Sequence, residues 1–480
     1  MKMNRLMILL AIFFTGTSNG WTQETKKTTL ESTLDDQQSV ELTVYNQNMG
    51  LVKDTRSIKL PLGQEQELRF MDVAAFINPV TVHIKSLSAS DDFTVLEQNY
   101  EYDLISPQKL MDKYVGKDIK IIDWNQYRDK KEEVRATLLS NNNGEVYKIN
   151  NEIYIGHPGY KVLPEIPENL ISKPTLTWLY TNKNSSPRKL EVSYLTDNIN
   201  WKADYVLAVN ETDTKADLSG WVTLDNKSGA TYKNAKLKLV AGEVNRVQPG
   251  YPQSVAKEGL ASTLGMKKKQ FIEQSFFEYH IYDLQRKTTI KDNQTKQVNL
   301  LEANDATVSK ELIVRGQQNY YLSQYSGQTL KSPVEVFIKF KNSENNHLGM
   351  PLPAGVMRLY KKDQAGSLQF IGEDKIDHTP KDEEVKLKIG EAFDVVAERV
   401  QTDFKILTSN VYETAWRVTL RNHKKEDITM TLLEPMGGDW EILEPSHPFE
   451  KKDAFTAQFK VNVPKDQEVK VTYRVRIRWF

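Results

Sequence analysis

Val469-Lys470-Val471-Thr472-Tyr473-Arg474-Val475-Arg476-Ile477-Arg478-Trp479 decides the fold. Apolar and polar side chains alternate without a slip. In an extended strand successive side chains leave on opposite faces, so this period of two marks a strand with one buried and one wet face. The stretch before it repeats the pattern. Tyr412, Thr414, Trp416, Val418 and Leu420 share one face, with Glu413, Arg417, Thr419 and Arg421 on the other. The polar turn Asn422 to Asp427 follows, and Ile428, Met430 and Leu432 then alternate with Thr429 and Thr431. Strands joined by short polar turns predict antiparallel β-sandwich packing. The N-terminal half agrees: Val40, Leu42 and Val44 alternate, as do Ile58 and Leu60, and Val82 and Ile84.

Helical signals are few. Ser106-Pro107 predicts an N-cap followed by proline at the first helical position, with the helix running to Tyr114 and ending at Gly116. Four short strands follow: Lys117 to Asp123, Glu133 to Ser140, Val146 to Ile149 and Ile153 to Gly156. Asn141-Asn142-Asn143-Gly144 turns the chain between two of them. This spacing predicts a small SH3-like barrel inserted among the sandwiches. The expected fold is therefore mainly β, with antiparallel sandwich domains, one small barrel and few short helices.

The first 20 residues have the order of a secretory signal. Lys2 and Arg5 precede an uncharged apolar run, Leu6 to Phe14, and small residues follow, with Ser18 and Gly20 suited to peptidase cleavage. The run falls well short of the roughly 20 residues that span a bilayer. With no cysteine in the chain, lipid attachment through cysteine is excluded, as are disulfides and thiolate chemistry. The expectation is an exported bacterial protein, periplasmic or extracellular, without a transmembrane span after cleavage. Losing Lys2 and Arg5 leaves 62 basic against 64 acidic residues. That balance gives no electrostatic footprint for nucleic acid.

The organisation expected along the chain is a signal peptide over 1–20, a flexible lead-in over 21–38, and a β region over 39–104. A short helix plus the barrel occupies 105–168. A β-sandwich region over 169–320 is interrupted by a mobile loop at 245–270, and a second sandwich region covers 321–480. Residues 341–355, rich in Asn, Gly and Pro, also read as loop.

Chemical motifs are sparse. The seven histidines are scattered, with no pair at metal-ligand spacing, so no metal and no cofactor is expected. No G-x-S-x-G elbow, phosphate loop or dinucleotide fingerprint occurs, and no catalytic residue is singled out. Asp439-Trp440-Glu441 after Gly437-Gly438 offers a ring for a sugar, or a turn feeding a strand with a core tryptophan. Trp178, Trp201, Trp221, Trp416 and Trp479 lie in strand patterns and read as core. Around Glu278-Tyr279-His280-Ile281-Tyr282-Asp283-Leu284, one reading is a functional surface of Tyr279, His280 and Tyr282. The other is a hydrogen-bonded core ribbon with Tyr279, Ile281 and Leu284 on one side.

Several phrases together resemble a bacterial exported family, the mucoidy-inhibitor A-like proteins, with their shared domain of unknown function 4139. They are Val44-Tyr45-Asn46-Gln47-Asn48-Met49-Gly50-Leu51-Val52, Trp201-Lys202-Ala203-Asp204-Tyr205, the Glu278 to Leu284 stretch, and Asn293-Gln294-Thr295-Lys296-Gln297. Leu96 to Leu104, Tyr194-Leu195-Thr196, Thr288-Thr289-Ile290 and Tyr473-Arg474-Val475-Arg476 add to them. The likeness runs from about residue 40 to the end. It implies export and supplies no catalytic residues. Family members carry a long coiled coil ahead of the shared domain, and this chain has no sustained heptad. The functional expectation is a non-enzymatic module binding an envelope glycan or another envelope protein. The alternatives are a hydrolase of envelope polysaccharide or peptidoglycan, and a protein scaffold.

Overall fold

The computed structural model describes residues 29–480 except 89, 126–128, 168–169, 243, 246–270, 277–278, 326, 364 and 480. The segment expected as a signal peptide and nearly all of the expected loop at 245–270 lie outside the described residues. The protein is mainly β, with 64% strand and one α-helix among the described residues. No helix there is long and apolar enough to cross a membrane.

The chain forms two compact units, neither of them contiguous in sequence. Among the described residues, the first takes those within 29–36, 57–71 and 86–189, and the second those within 37–56, 72–85 and 190–479. The region expected over 39–104 is therefore divided between them. A linear reading misses this because strands choose partners by burial and backbone pairing, not by nearness in sequence.

In the first unit, Gly63–Met71 and Phe93–Glu101 flank Thr175–Asn182, and Thr29–Ser32 adds to the edge in parallel. Residues 29–32 and 37–38 were expected as lead-in and are strand. The second sheet follows its sequence signals closely. Helix Pro107–Tyr114 has Ser106 as its cap, the Ser106 hydroxyl accepting from the Lys109 N–H at 3.2 Å. Its Met111 and Tyr114 pack on Ile119, Ile121, Leu138 and Tyr147. Strands Asp118–Asn125, Lys130–Ser140, Val146–Ile149 and Glu152–Ile155 form a meander, and Tyr160–Val162 returns beside the first of them. Glu152–Ile155 and Tyr160–Val162 remain the two edges, so the expected barrel is an open sheet.

Among the described residues the second unit holds four sheets. One runs Phe271–Phe276, Tyr279–Leu284, Tyr232–Ala241, Gln37–Tyr45, Met49–Ile58, Arg188–Asp197 and His83–Ser86. Facing it is the order Gln294–Thr307, Lys215–Asn226, Ile199–Val209, Gly355–Lys362 and Leu368–Ile376. Trp201 bridges these two sheets. Its indole N–H donates to the Val240 carbonyl at 3.1 Å, and its ring meets Tyr282 edge-on at 6.2 Å. The C-terminal sandwich pairs the sheet of Ile428–Pro435 and Thr456–Val463 with that of Val395–Thr408, Val411–Asn422 and Gln467–Arg478. Trp416, Val418, Leu420, Val471, Tyr473, Val475 and Ile477 fill its core, as the alternation predicts. Phe459 of one sheet stacks on Tyr473 of the other at 5.5 Å.

The sheets are mixed, not purely antiparallel. Gln37–Tyr45 runs parallel to Tyr232–Ala241, Ile199–Val209 to Gly355–Lys362, and Ser309–Arg315 to Ile428–Pro435. Parallel neighbours need long connections, which the interleaved chain path supplies.

Candidate functional site

In Lys215–Asn226 the residues Leu218, Val222 and Leu224 point inward and are buried. Trp221 lies out of phase with them, so the strand period alone sends its ring to the outer face, where it is 37% exposed. The adjacent backbone reinforces this. Gly220 pairs with Leu301 and Trp221 with Asn299, so Leu300 is an extra residue in the ladder. Such a bulge bends a strand and re-aims side chains. Leu300 and Leu301 are both buried as a result. Gly220 lets them approach: a Cβ there would sit 2.9 Å from Leu301 Cγ and 3.2 Å from the Tyr205 ring.

The opposite wall comes from residues 342–352, which several side chains hold in place. Asn342 is fully buried and donates its amide to the Met350 and Pro380 carbonyls at 3.0 and 2.9 Å, while its oxygen accepts from Gly349 N–H. Asn346 pairs with the backbone of Thr307 through both amide atoms, accepting at 2.6 Å and donating at 3.1 Å. Tyr282 donates to the Pro351 carbonyl at 3.0 Å, and Tyr205 to the Pro353 carbonyl at 2.8 Å. Burial pushes both phenols well above their ordinary pKa, so they act as neutral donors.

Between these walls lies a groove of about 540 Å³. Leu300, Leu301, Ala303, Met350 and Leu352 supply its apolar lining. Trp221, Asn299, Glu302 and His347 supply an aromatic face and polar groups. Asn299 donates to Glu302 Oε1 at 3.2 Å, which orients the carboxylate. His347 ends a short 3-10 turn in the left-handed conformation, at φ 62°. The lining can stack a flat ring on the indole and hydrogen-bond hydroxyl or amide groups at its edge.

The residues singled out by sequence fall in different places. Tyr282 is buried in the core, and its hydroxyl positions the groove wall. His280 and Tyr282 share a face with Leu284, as strict alternation requires; the expected grouping of Leu284 with Tyr279 and Ile281 is corrected. His280 Nδ1 lies 2.7 Å from Glu273 Oε1, and both side chains are partly exposed. Tyr279 is half-buried on the other face. Trp440 is 4% exposed in the C-terminal core. Its N–H donates to the Ala454 carbonyl at 2.9 Å, and Lys451 Nζ covers a ring face at 4.2 Å. Trp178, Trp201 and Trp416 are core, while Trp479 is half-buried against it. Trp221, expected as core, is exposed. Its phase against Leu218 and Val222 was the available signal. Asn299, Glu302 and His347 carried none. Among the described residues no group of three or more His, Asp or Glu converges as metal ligands.

A family model described as "Domain of unknown function (DUF4139)" matches residues 190–479, more than half of the chain. The match holds every residue lining the groove. No curated protein matches the sequence.

Proposed function

Because the chain belongs to the DUF4139 family, whose description assigns no activity, we propose from the groove that it is an exported cell-envelope protein that binds a glycan. One sugar ring lies on Trp221. The single observation that carries this reading is the half-exposed Trp221 indole beside Asn299, Glu302 and His347. The apolar face of a pyranose packs on an indole, while the amide, carboxylate and imidazole pair with its hydroxyls. Hydrolysis by the usual glycosidase route needs two carboxyl groups roughly 5 to 9.5 Å apart. The groove lining contributes one, Glu302, which favours binding over cleavage. The N-terminal Lys2, Arg5 and Leu6 to Phe14 order supports export, and so do the phrases resembling mucoidy-inhibitor A-like proteins.

The test is a titration of the protein with envelope polysaccharides and peptidoglycan fragments, followed by tryptophan fluorescence and thermal unfolding. A ligand at a hundred times its Kd adds about 2.7 kcal/mol of stability. The expected result is saturable binding that Trp221→Ala weakens tenfold or more while its melting temperature holds. No saturable binding, or equal binding by the variant, rejects the reading. N-terminal sequencing of the protein from a periplasmic extract tests export, with residue 21 expected as its first.

A further inference from the structure

A second set of residues lies outside the Trp221 groove. Arg286 and Lys287 stand exposed in the turn after Tyr279–Leu284. They line a groove of about 300 Å³ with Lys236, Asp283, Leu284 and Gln285. Lys291 follows Thr288–Ile290, and Lys296 sits half-buried on Gln294–Thr307. The Lys296 ammonium donates to the Thr289 carbonyl at 3.0 Å. Burial lowers its pKa first, and the charges of Arg286 and Lys291 lower it further. Carboxylates lie nearby: Asp292 adjoins Lys291 and accepts from Gly229 N–H and Asn293 at 2.9 Å each, and Asp225 accepts from the Thr295 hydroxyl at 3.2 Å. Glu41 is taken by Lys236 at 2.7 Å, and Asp283 lines the groove. Arg286, Lys287, Lys291 and Lys296 have no ion-pair partner among the described residues.

The charges of Arg286 and Lys291 act on Lys296, Lys287 adjoins Arg286 in the same turn, and holding Lys296 half-buried adds to the cost. Solvated surface lysines spread apart; here the backbone carbonyl of Thr289 holds Lys296 in place. An anion with several charges relieves the repulsion, and the Arg286 guanidinium offers a fork suited to oxyanions. We propose that Arg286 and Lys287 of this groove, together with Lys291 and Lys296 outside its lining, form a binding site for a phosphate-type oxyanion. The site gives a chemical role to the Thr288 to Gln297 stretch, which the Trp221 groove does not use.

The test uses the full chain at fixed ionic strength, titrated calorimetrically with pyrophosphate, and in a second arm sedimented with phosphatidylglycerol vesicles. Arg286→Gln/Lys287→Gln and Lys296→Gln are compared with the native protein, each first checked for an unchanged circular dichroism spectrum. The exposed double variant keeps the test valid if Lys296→Gln does not fold. Saturable pyrophosphate binding weakened tenfold or more in the variants supports the site with a soluble phosphate as ligand. Vesicle sedimentation abolished by the same substitutions supports it with a lipid headgroup. Binding in neither arm, or binding that the substitutions leave unchanged, overturns it.

Discussion

Arg399 Nη1 lies 2.9 and 3.0 Å from the two carboxylate oxygens of Glu434, and neither side chain has any solvent exposure. The pair joins the two sheets of the C-terminal sandwich, Arg399 from Val395–Thr408 and Glu434 from Ile428–Pro435. Tyr321 donates to Glu434 Oε2 at 2.6 Å, Ser332 Oγ accepts from Arg399 Nε at 3.1 Å, and the guanidinium lies over the Tyr320 ring at 4.9 Å. Removing one partner leaves a buried charge alone. Glu434→Gln or Arg399→Met is expected to cost about 3–5 kcal/mol. The double variant Arg399→Met/Glu434→Leu is expected to cost less than the sum, because no charge is stranded. Urea unfolding followed by tryptophan fluorescence measures all three.

Gly220→Ala is expected to lose about 1–3 kcal/mol, the usual cost of overpacking. The added methyl meets Leu301 and the Tyr205 ring, and the bulge that aims Trp221 must shift to admit it. Glycan affinity should fall with stability, and a thermal melt with and without ligand reads both effects.

Tyr282→Phe removes the donor to Pro351 O and leaves that carbonyl without its partner. A loss of about 1 kcal/mol is expected. Glycan affinity is also expected to fall although Tyr282 does not line the groove, because Pro351 belongs to the wall that it holds. Unchanged affinity would separate the wall's position from Tyr282.

Asp213 gives a pH dependence. Burial alone raises its pKa, but hydrogen bonds and charge from Lys310 and Lys361 outweigh burial and lower it. A depressed folded value means stability that is present above the unfolded pKa and lost as pH falls through the folded one. Asp213→Asn should therefore be less stable than the native protein at pH 6. The gap should close as pH falls below the ordinary carboxylate value. Unfolding midpoints across that range check the sign.

A fragment of residues 190–480 is expected to fail as an independent fold. It omits Gln37–Tyr45 and Met49–Ile58, which lie between Tyr232–Ala241 and Arg188–Asp197 in one sheet. Their removal opens two internal edges and takes away Leu42 and Val44, the ladder partners of Leu237 and Leu239. Loss of a cooperative melt in the fragment is the expected outcome.

Local signals were legible wherever local physics decides. Ser106 and Pro107 mark a helix because capping involves neighbours in sequence. Trp416 and Tyr473 read as core because alternation is enforced residue by residue. Trp221 was misjudged because its aromatic character outweighed its phase in the strand. His347 and Asn299 were invisible because contacts of Asn342, Asn346 and Tyr282 with distant backbone bring them to one groove. The open edges of the Asp118 to Val162 sheet were missed for a related reason. Strand order can be read from spacing, but closure depends on whether Glu152–Ile155 reaches Tyr160–Val162 in space.

Gln37–Tyr45 is made long before the strand that completes its sheet. Glu41 and its ion-pair partner Lys236 are 195 residues apart in the chain. While the intervening segment is being synthesised, Leu42 and Val44 have no cover and the hairpin carries an open ladder, the condition under which nascent strands aggregate. Assembly of this sheet is therefore a late event.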